Sequence, residues 1–511
     1  MNKTNLDRVN SPINNIVERR NIMNHWRTTL GKMSRPIRIS ASILIAIFLI
    51  SGCMHYPVNK PLATVDPNSG YRGKFMGQPE NSDEMMVFLA FSGGGTRAAA
   101  FSYGVLEELR NTAVTINGKK RMLLHEVDGI SGVSGGSFTA AYYGLFGDRI
   151  FEDFEQKFLK RNVQGGLTRR FLIRPDNWVR LFSPFFARSD IAAEYYDKIL
   201  FEKKTFQDMA ARKGQSPMVF INATDMVTGI RVAFHQDAFD IICSDLSGYP
   251  VARAVTASSA VPVVLTPITL RNYSNDCGFK LPEEAERVRK EHDITSRSFH
   301  QVSNVDVYQD VAKHKYIHLV DGGVSDNLGL RAALDRILVM GSFWNTLKYL
   351  KLENTHKVVI IVVNAETEVS SQWSLFGRAP TISAMFGAYS SVSVTRYNYE
   401  TVMLARESFR RWAEEVQKSR CGDGPISTEP GGCGDIKFYL VEVKFDALRD
   451  EAERHYFKGM PHRSNCLTSR STTCVTPPIG YSQNQRNSSS FWRSYNKGVR
   501  LARTKASAQT P

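Results

Sequence analysis

Gly132-Val133-Ser134-Gly135-Gly136 is the stretch that decides the fold, and it has the form G-x-S-x-G. It lies between an apolar run at 123–130, predicted to be a buried strand, and a run at 138–143 typical of the start of a helix. A serine is a weak nucleophile unless its backbone projects it from the sheet, and Gly132 and Gly136 permit the sharp turn that does so. Ser134 is therefore the predicted nucleophile, the alternative being a capping serine in a glycine-rich turn.

A second glycine motif, Gly93-Gly94-Gly95, follows an apolar run at 85–91 and precedes a helical pattern. Successive N–H groups at the start of a helix form an anion site, which serves either an oxyanion of acyl transfer or a phosphate. The loop also fits a dinucleotide fingerprint ending at Ala98. That interpretation is excluded because residues 111–119 contain no acidic residue to bind a ribose.

The third motif is Asp321-Gly322-Gly323, at the end of an apolar run at 316–320. A carboxylate there could accept the proton of Ser134 directly, and the glycines allow close approach of the backbone. A serine triad would instead need a histidine. The late histidines, His356, His455 and His462, stand in polar contexts that do not favour them.

Apolar runs at 85–91, 218–223, 316–320, 358–363 and 438–443 alternate with helical stretches. This alternation predicts an α/β domain with a largely parallel sheet.

The three motifs, in this order, resemble those of the patatin-like phospholipase family over residues 85–364, with similar blocks at 222–225 and 254–262. The resemblance implies a three-layer α/β/α fold and a Ser134–Asp321 dyad without histidine, metal or organic cofactor. It also implies that Gly93, Gly94 and Gly95 form the oxyanion loop. Arg97 would anchor that loop or meet a phosphate, and Gly322, Gly323 and Asn327 would support the loop around Asp321. Ala98 stands where the family usually has glycine, so we expect it to have a negative φ at the start of a helix.

The N-terminal region contains an apolar run at 39–50 after three basic residues, which is typical of a signal peptide. It ends in Ser51-Gly52-Cys53, which resembles a bacterial lipobox whose cysteine becomes lipidated. Met54, rather than aspartate, then implies sorting to the outer membrane. We therefore predict a signal peptide at 1–52, a lipidated tether at 53–84, a catalytic domain at 85–420, and at 421–511 a final strand with a loop-rich, disulfide-containing extension.

The charge and the cysteines agree with an exported protein. The formal charge is +15, and residues 1–52 carry 8 basic and 2 acidic residues, which leaves 15 − 6 = +9 for the remainder. That balance suits an anionic membrane surface, and no motif supports nucleic-acid binding. With Cys53 lipidated, short-loop pairing of the other six cysteines gives Cys243–Cys277, Cys421–Cys433 and Cys466–Cys474. No metal-ligand spacing is present.

Residues 167–186 mix large apolar side chains with arginines. Exposed, this segment would be an interfacial lid; buried, it would be core, which we expect because aromatic runs usually pack. The sequence thus predicts a serine acyl hydrolase that acts on phospholipid, lysophospholipid or other lipid esters. The alternatives are an acyltransferase and an envelope lipoprotein that binds lipid or a partner without hydrolysis.

Overall fold

The computed structural model describes residues 58–75, 77–262, 264–367, 374–375, 377, 379–448 and 450–458. The described residues divide into two compact units, one formed by 58–173 with 188–458 and the other by 174–187. The predicted signal peptide, Cys53 and the predicted Cys466–Cys474 pair lie outside the described residues.

The main unit is built on a mixed, mostly parallel sheet with the order β12-β11-β2-β5-β6-β10-β9, and β7 also pairs with β6. Its strands are β2 (Met85–Phe91), β5 (Val127–Val133), β6 (Met218–Asp225), β7 (Arg231–Ala233), β9 (Ile268–Arg271), β10 (Tyr316–Asp321), β11 (Lys357–Asn364) and β12 (Lys437–Lys444). The pairs from β12 to β6 are parallel, whereas β10 runs antiparallel to β6 and β9. Two-stranded pairs form between β1 (Lys60–Pro61) and β8 (Ser244–Asp245), and between β3 (Ala113–Ile116) and β4 (Lys119–Met122).

Helices connect these strands. The α-helices are α1 (Gly95–Asn111), α2 (Gly135–Phe146), α3 (Val163–Leu172), α4 (Pro175–Leu181), α5 (Arg188–Tyr196), α6 (Phe206–Ala210), α7 (Gln236–Ile241), α8 (Val251–Ser258), α9 (Glu283–Glu291), α10 (Arg297–Gln309), α11 (Gly323–Asp326), α12 (Arg331–Val339), α13 (Phe343–Leu350), α14 (Ile382–Cys421) and α15 (Glu451–Lys458). Wider π-helical turns occur at Ile150–Leu159 and Asp197–Phe201. Among the described helices, none is both long and apolar enough to cross a bilayer.

Alternate side chains of the sheet enter two different cores, which makes the domain three layers thick. In β2, Val87, Leu89 and Phe91 belong to the core that contains α1, α2 and α8. Phe88 and Ala90 belong to the core on the other face, with α12, α13 and α14. Successive strand residues point to opposite faces, so a strand that is apolar throughout must be covered on both. The predicted α/β/α layering is confirmed.

The strand predicted at 123–130 is displaced in the structure. Residues Leu123–Glu126 form a 3-10 turn, and the strand runs from Val127 to Val133. The strand contains small and polar residues, so it does not stand out in the sequence as an apolar run. Gly129 is required there because a Cβ would lie 2.8 Å from the Phe88 ring.

Residues 58–84 are not the tether that the sequence predicted. Lys60 and Pro61 pair with β8, and the Tyr71 hydroxyl accepts a hydrogen bond from the N–H of Val219 at 2.8 Å. Arg72 is buried and forms ion pairs with Asp237 and Asp240 at 2.5 and 2.8 Å. We call residues 58–84 the N-terminal strap, because the segment crosses the domain surface and its buried polar groups form their hydrogen bonds and ion pairs with the domain.

The C-terminal part of the described chain continues the same domain. Helix α14 runs through Cys421 to the disulfide with Cys433, and β12 then pairs with β11 along its whole length. Disulfides Cys243–Cys277 and Cys421–Cys433 are formed as predicted. The predicted boundary at residue 420 is therefore not a structural break, although the final strand is present.

Candidate active site

The predicted nucleophile, Ser134, occupies a strained turn between β5 and α2. Its φ is 48° and its ψ is −118°, a conformation that non-glycine residues rarely adopt and that concentrates at functional sites. The glycines on either side are required by packing. A Cβ on Gly132 would lie 2.7 Å from the Cα of Ser137, and one on Gly136 would lie 2.6 Å from the carbonyl oxygen of Phe91. The turn thus has the geometry of a nucleophile elbow.

Asp321 reaches Ser134 through the register of the sheet. In β6, Asn222 pairs with Val133 of β5 on one side, and Ala223 pairs with Asp321 of β10 on the other. The Ser134 hydroxyl lies close enough to the Asp321 carboxyl to favour its ionised form. The sequence predicted that Asp321 ends a strand but did not give the direction of that strand. Because β10 runs antiparallel to β6, its C-terminal residue, Asp321, lies level with the elbow.

The environment of Asp321 favours a proton acceptor that works near neutral pH. Burial raises the pKa of its carboxyl to about 6, while hydrogen bonds from the N–H of Gly323 and from Ser134 act in the opposite direction. The Gly323 N–H lies 2.8 Å from Oδ1. Loss of hydration destabilises the carboxylate more than two hydrogen bonds stabilise it.

Ser258, at the end of α8, is the residue of this site that the sequence did not single out. Its hydroxyl oxygen accepts the backbone N–H of Ser134 at 2.9 Å, and its carbonyl accepts the N–H of Gly322 at 3.1 Å. The carbonyl of Ala260 accepts the N–H of Asp321 at 3.0 Å. One short segment therefore holds both predicted catalytic loops, and its only signal was the resemblance of block 254–262 to a family block.

The glycine loop lies against the elbow. Gly94 and Gly95 have φ values of 138° and 63°, which favour glycine. A Cβ on Gly135 would lie 1.9 Å from the carbonyl oxygen of Gly95, so the two backbones are in direct contact. This arrangement brings the start of α1 to the nucleophile.

Gly93 does not supply the oxyanion donor that the sequence predicted. Its N–H donates to the carbonyl of Asn327 at 2.9 Å. Its role is steric, because a Cβ on Gly93 would lie 2.5 Å from Oδ1 of Asn327. Asn327 thereby joins the glycine loop to the loop that follows Asp321, as its predicted support role requires.

Arg97 and Ala98 begin helix α1 behind the loop. Arg97 is buried, its Nε donates to the carbonyl of Ala365 at 3.1 Å, and burial lowers its pKa to about 10. It anchors the loop from within the domain, because the side chain is buried rather than on the surface. Ala98 is helical and is not among the residues with positive φ, so alanine fits where the family usually has glycine.

The glycine that follows Asp321 is also required by close packing. A Cβ on Gly322 would lie 2.2 Å from the carbonyl oxygen of Asn222. The Asn222 side chain in turn donates to the Ser131 hydroxyl at 2.8 Å and to the Gly132 carbonyl at 3.1 Å. Strand β6, which lies between β5 and β10, therefore contacts both the turn at Ser134 and the loop after Asp321.

The described histidines from residue 318 onward, among them His318 three residues before Asp321, have partners other than Ser134. His356 Nδ1 lies 2.8 Å from the carbonyl of Asp435, and His318 Nδ1 lies 3.0 Å from the Thr269 hydroxyl. His455 is on α15, and His462 lies outside the described residues. Within the described ranges, no group of three or more His, Cys, Asp or Glu side chains is arranged to hold a metal ion.

The segment expected to be core is largely exposed. Leu172 and Ile173, in the main unit, are more than half exposed, and so are Trp178 and Phe182 in the separate 174–187 unit. The expectation holds for Leu167 and Phe171, which pack against the core of the main unit, and for Phe186, which is buried with the Arg180 guanidinium 4.0 Å from its ring centroid. The core interpretation fails for the other four because arginines and a proline interrupt the apolar residues and break the run into short helices.

A family model described as patatin-like phospholipase matches residues 89–334. That part of the chain therefore belongs to the patatin-like phospholipase family, a class of lipid hydrolases, and has the patatin fold.

Similar solved structures include human GIVD cytosolic phospholipase A2, at 13% identity and a TM-score of 0.33, covering 55% of this chain and 45% of that one. The same human enzyme in complex with methyl gamma-linolenyl fluorophosphonate matches at 13% identity and a TM-score of 0.33, covering 82% and 60%. VipD from Legionella pneumophila matches at 10% identity and a TM-score of 0.25, covering 84% and 72%. The chain thus spans less than two thirds of the human enzyme. A search of curated proteins found no match.

Proposed function

We propose that the protein is a serine acyl hydrolase of ester-linked membrane lipids, in which Ser134 is the nucleophile and Asp321 the general base. The observation that carries the proposal is that Asp321 lies beside Ser134 across the register of β5, β6 and β10, with the serine on a strained elbow. A serine hydroxyl needs an adjacent base to become nucleophilic, and Asp321 is in the position of that base.

In the first half-reaction, Ser134 Oγ forms a bond to the acyl carbonyl carbon while its proton passes to Asp321. The negative charge that develops on the carbonyl oxygen would be stabilised by the backbone N–H groups of Gly94, Gly95 and Gly135. Within the described part of the chain, no group accepts a hydrogen bond from these three N–H groups. Donors of this kind stabilise the transition state because they are already oriented. The C–O bond to the alcohol then breaks, and Asp321 returns the proton to the leaving oxygen.

In the second half-reaction, Asp321 takes a proton from water, and the resulting hydroxide attacks the acyl-enzyme. The bond to Ser134 Oγ breaks, the serine is reprotonated from Asp321, and a fatty acid leaves. A carboxyl with a pKa near 6 is ionised at neutral pH and still basic enough to act in both steps.

We further propose that the enzyme is an outer-membrane lipoprotein of a bacterial envelope, attached by a lipid on Cys53. This part of the proposal is supported by the lipobox-like sequence and by two disulfides, which form in oxidising compartments. Its substrates are then phospholipids, lysophospholipids or related esters of the membrane to which it is attached.

A fluorophosphonate probe tests the proposed chemistry. The wild type should be labelled, whereas Ser134→Ala should not be and Asp321→Asn should be labelled at a greatly reduced rate. Hydrolysis of phospholipid should fall about a thousandfold or more in both variants. Ser102→Ala, which removes a buried serine of α1, is the matched control and should be labelled normally.

A folded wild type that is neither labelled nor active on phospholipid, lysophospholipid or triglyceride would refute the proposal in favour of a non-hydrolytic lipid-binding protein. Labelling with transfer of the acyl group to an added alcohol in preference to water would identify an acyltransferase.

A further inference from the structure

Helix α14 has two halves with different surroundings. Its second half packs against the domain, and its buried residues are Asn398, Thr401, Val402, Ala405, Trp412 and Val416. In its first half, the described side chains at 385, 392, 393, 395 and 396 are exposed, and those at 388, 391 and 394 are half-buried. The described part of the first half therefore has an exposed face and a partly buried face.

The composition of the first half is unusual for an exposed helix. Residues 379–395 contain no charged residue, whereas residues 396–421 contain many. A helix that faces water normally carries charged side chains on its exposed face. The described exposed side chains of this half, apart from Arg396, are uncharged, which is typical of a surface that contacts an apolar phase.

The exposed apolar residues of α14 lie on one face. Met385, Val392 and Tyr399 are 57%, 51% and 63% exposed and are spaced seven residues apart, which is two helical turns. Arg396 is also exposed and lies one turn from Val392 and from Tyr399 on the same face. We call these three residues with Arg396 the α14 stripe.

The C-terminal end of the stripe, at Arg396 and Tyr399, neighbours residues that contact the loops of the proposed active site. Asn398 Nδ2 donates to Glu366 at 3.2 Å, close to the Ala365 carbonyl that anchors Arg97. The Arg331 guanidinium lies 4.6 Å from the ring centroid of Tyr397. Helix α14 also packs on α11, which begins two residues after Asp321.

Other exposed apolar side chains flank Asp321. Val324 lies on α11, three residues after the aspartate, and is 60% exposed. Val261 follows Ala260, whose carbonyl accepts the Asp321 N–H, and is also exposed, as is Val264. The surface next to the proposed site and the α14 stripe are therefore both apolar.

We propose that the α14 stripe lies on the surface of a phospholipid bilayer that contains anionic lipid, and that it holds the proposed active site against its substrate. The inference rests on the proposed function. Met385, Val392 and Tyr399 would enter the boundary between headgroups and acyl chains, and Arg396 would meet lipid phosphate. A second copy of the chain is the alternative occupant, and protection that depends on protein concentration without lipid would reveal it.

Hydrogen exchange measured by mass spectrometry on the full chain tests the contact without depending on catalysis or on the N-terminal anchor. Vesicles of equimolar phosphatidylcholine and phosphatidylglycerol should slow exchange within residues 382–400 several-fold. The double variant Met385→Asp with Val392→Asp should lose this protection. Met122→Asp, which changes an exposed apolar residue at the end of β4, is the matched control and should keep it.

Kinetics supply the second arm. The double variant should hydrolyse vesicle phospholipid at least about tenfold more slowly than the wild type, yet hydrolyse a soluble short-chain ester within about twofold of it. Absence of lipid-dependent protection in the wild type would overturn the inference, as would protection that depends on protein concentration without lipid. Lipid-dependent protection in a wild type with no hydrolytic activity would uphold the contact and refute the proposed function instead.

Discussion

At the scale of single residues, the site depends on how burial changes the proton affinity of two carboxyls. Burial raises the pKa of Asp321 to about 6, and it does the same for Asp326 five residues later. Asp321 lies beside Ser134, whereas the Asp326 carboxylate accepts the backbone N–H groups of Gly329 and Arg331. The same rise in pKa therefore occurs in the proposed general base, Asp321, and in Asp326, whose carboxylate holds a loop in place.

We predict that kcat/KM for a soluble ester falls as the pH drops through about 6, because protonated Asp321 cannot accept the serine proton. The folded pKa lies above the ordinary value of 3.8, so activity should be full above the shifted pKa and lost below it. The measurement is a pH profile at fixed ionic strength. Asp326→Asn removes the neighbouring buried carboxyl, whose pKa is also near 6, and should leave the midpoint of the profile unchanged. A midpoint that moves with this variant would show that the loss of activity at low pH does not come from protonation of Asp321.

At the scale of elements, the end of α8 joins the elbow to the loop after β10. The Ser258 hydroxyl accepts a hydrogen bond from the backbone N–H of Ser134, and the Ser258 carbonyl accepts one from the backbone N–H of Gly322. A strained backbone persists only where the surrounding structure fixes it, and this hydrogen bond is one such constraint.

We predict that Ser258→Ala lowers kcat about 10- to 100-fold on a soluble ester with little change in KM, because the elbow loses a constraint on the position of the nucleophile. The measurement is steady-state kinetics together with thermal unfolding. Thr256→Val is the matched control: it removes another buried hydroxyl of α8, one that donates to Ala252 within the helix, and it should affect stability alone. If kcat fell equally in the two variants, Ser258 would contribute to the stability of the fold and not specifically to the position of the nucleophile.

At the scale of the whole molecule, the N-terminal strap ties the sheet edge to α7. The strap carries a buried arginine between two aspartates, and removal of one partner leaves buried charges without compensation. The strap is thus part of the folded domain, and a lipid anchor on Cys53 would hold that domain close to the membrane.

We predict that Arg72→Met lowers the free energy of unfolding by about 3–5 kcal/mol. Urea denaturation followed by circular dichroism measures the change. Lys74→Met, in the same strap but bonded only to Asn68 at 3.2 Å and stacked on Phe75, should change it by less than about 1 kcal/mol. An unchanged unfolding midpoint for Arg72→Met would mean that the ion pairs contribute nothing net.

The sequence by itself predicted the layer architecture, the alternation of strands and helices along the chain, the two described disulfides and the candidate residues Ser134 and Asp321. It could do so because apolar strands, glycine turns and short cysteine loops are local patterns. The direction of β10, the packing of the strap, the use of the Gly93 N–H by Asn327 and the hydrogen bond from Ser134 to Ser258 were decided only by the tertiary structure. These features join residues far apart in the chain, as Ser134 and Ser258 are, and no local pattern records which distant group will satisfy a buried donor.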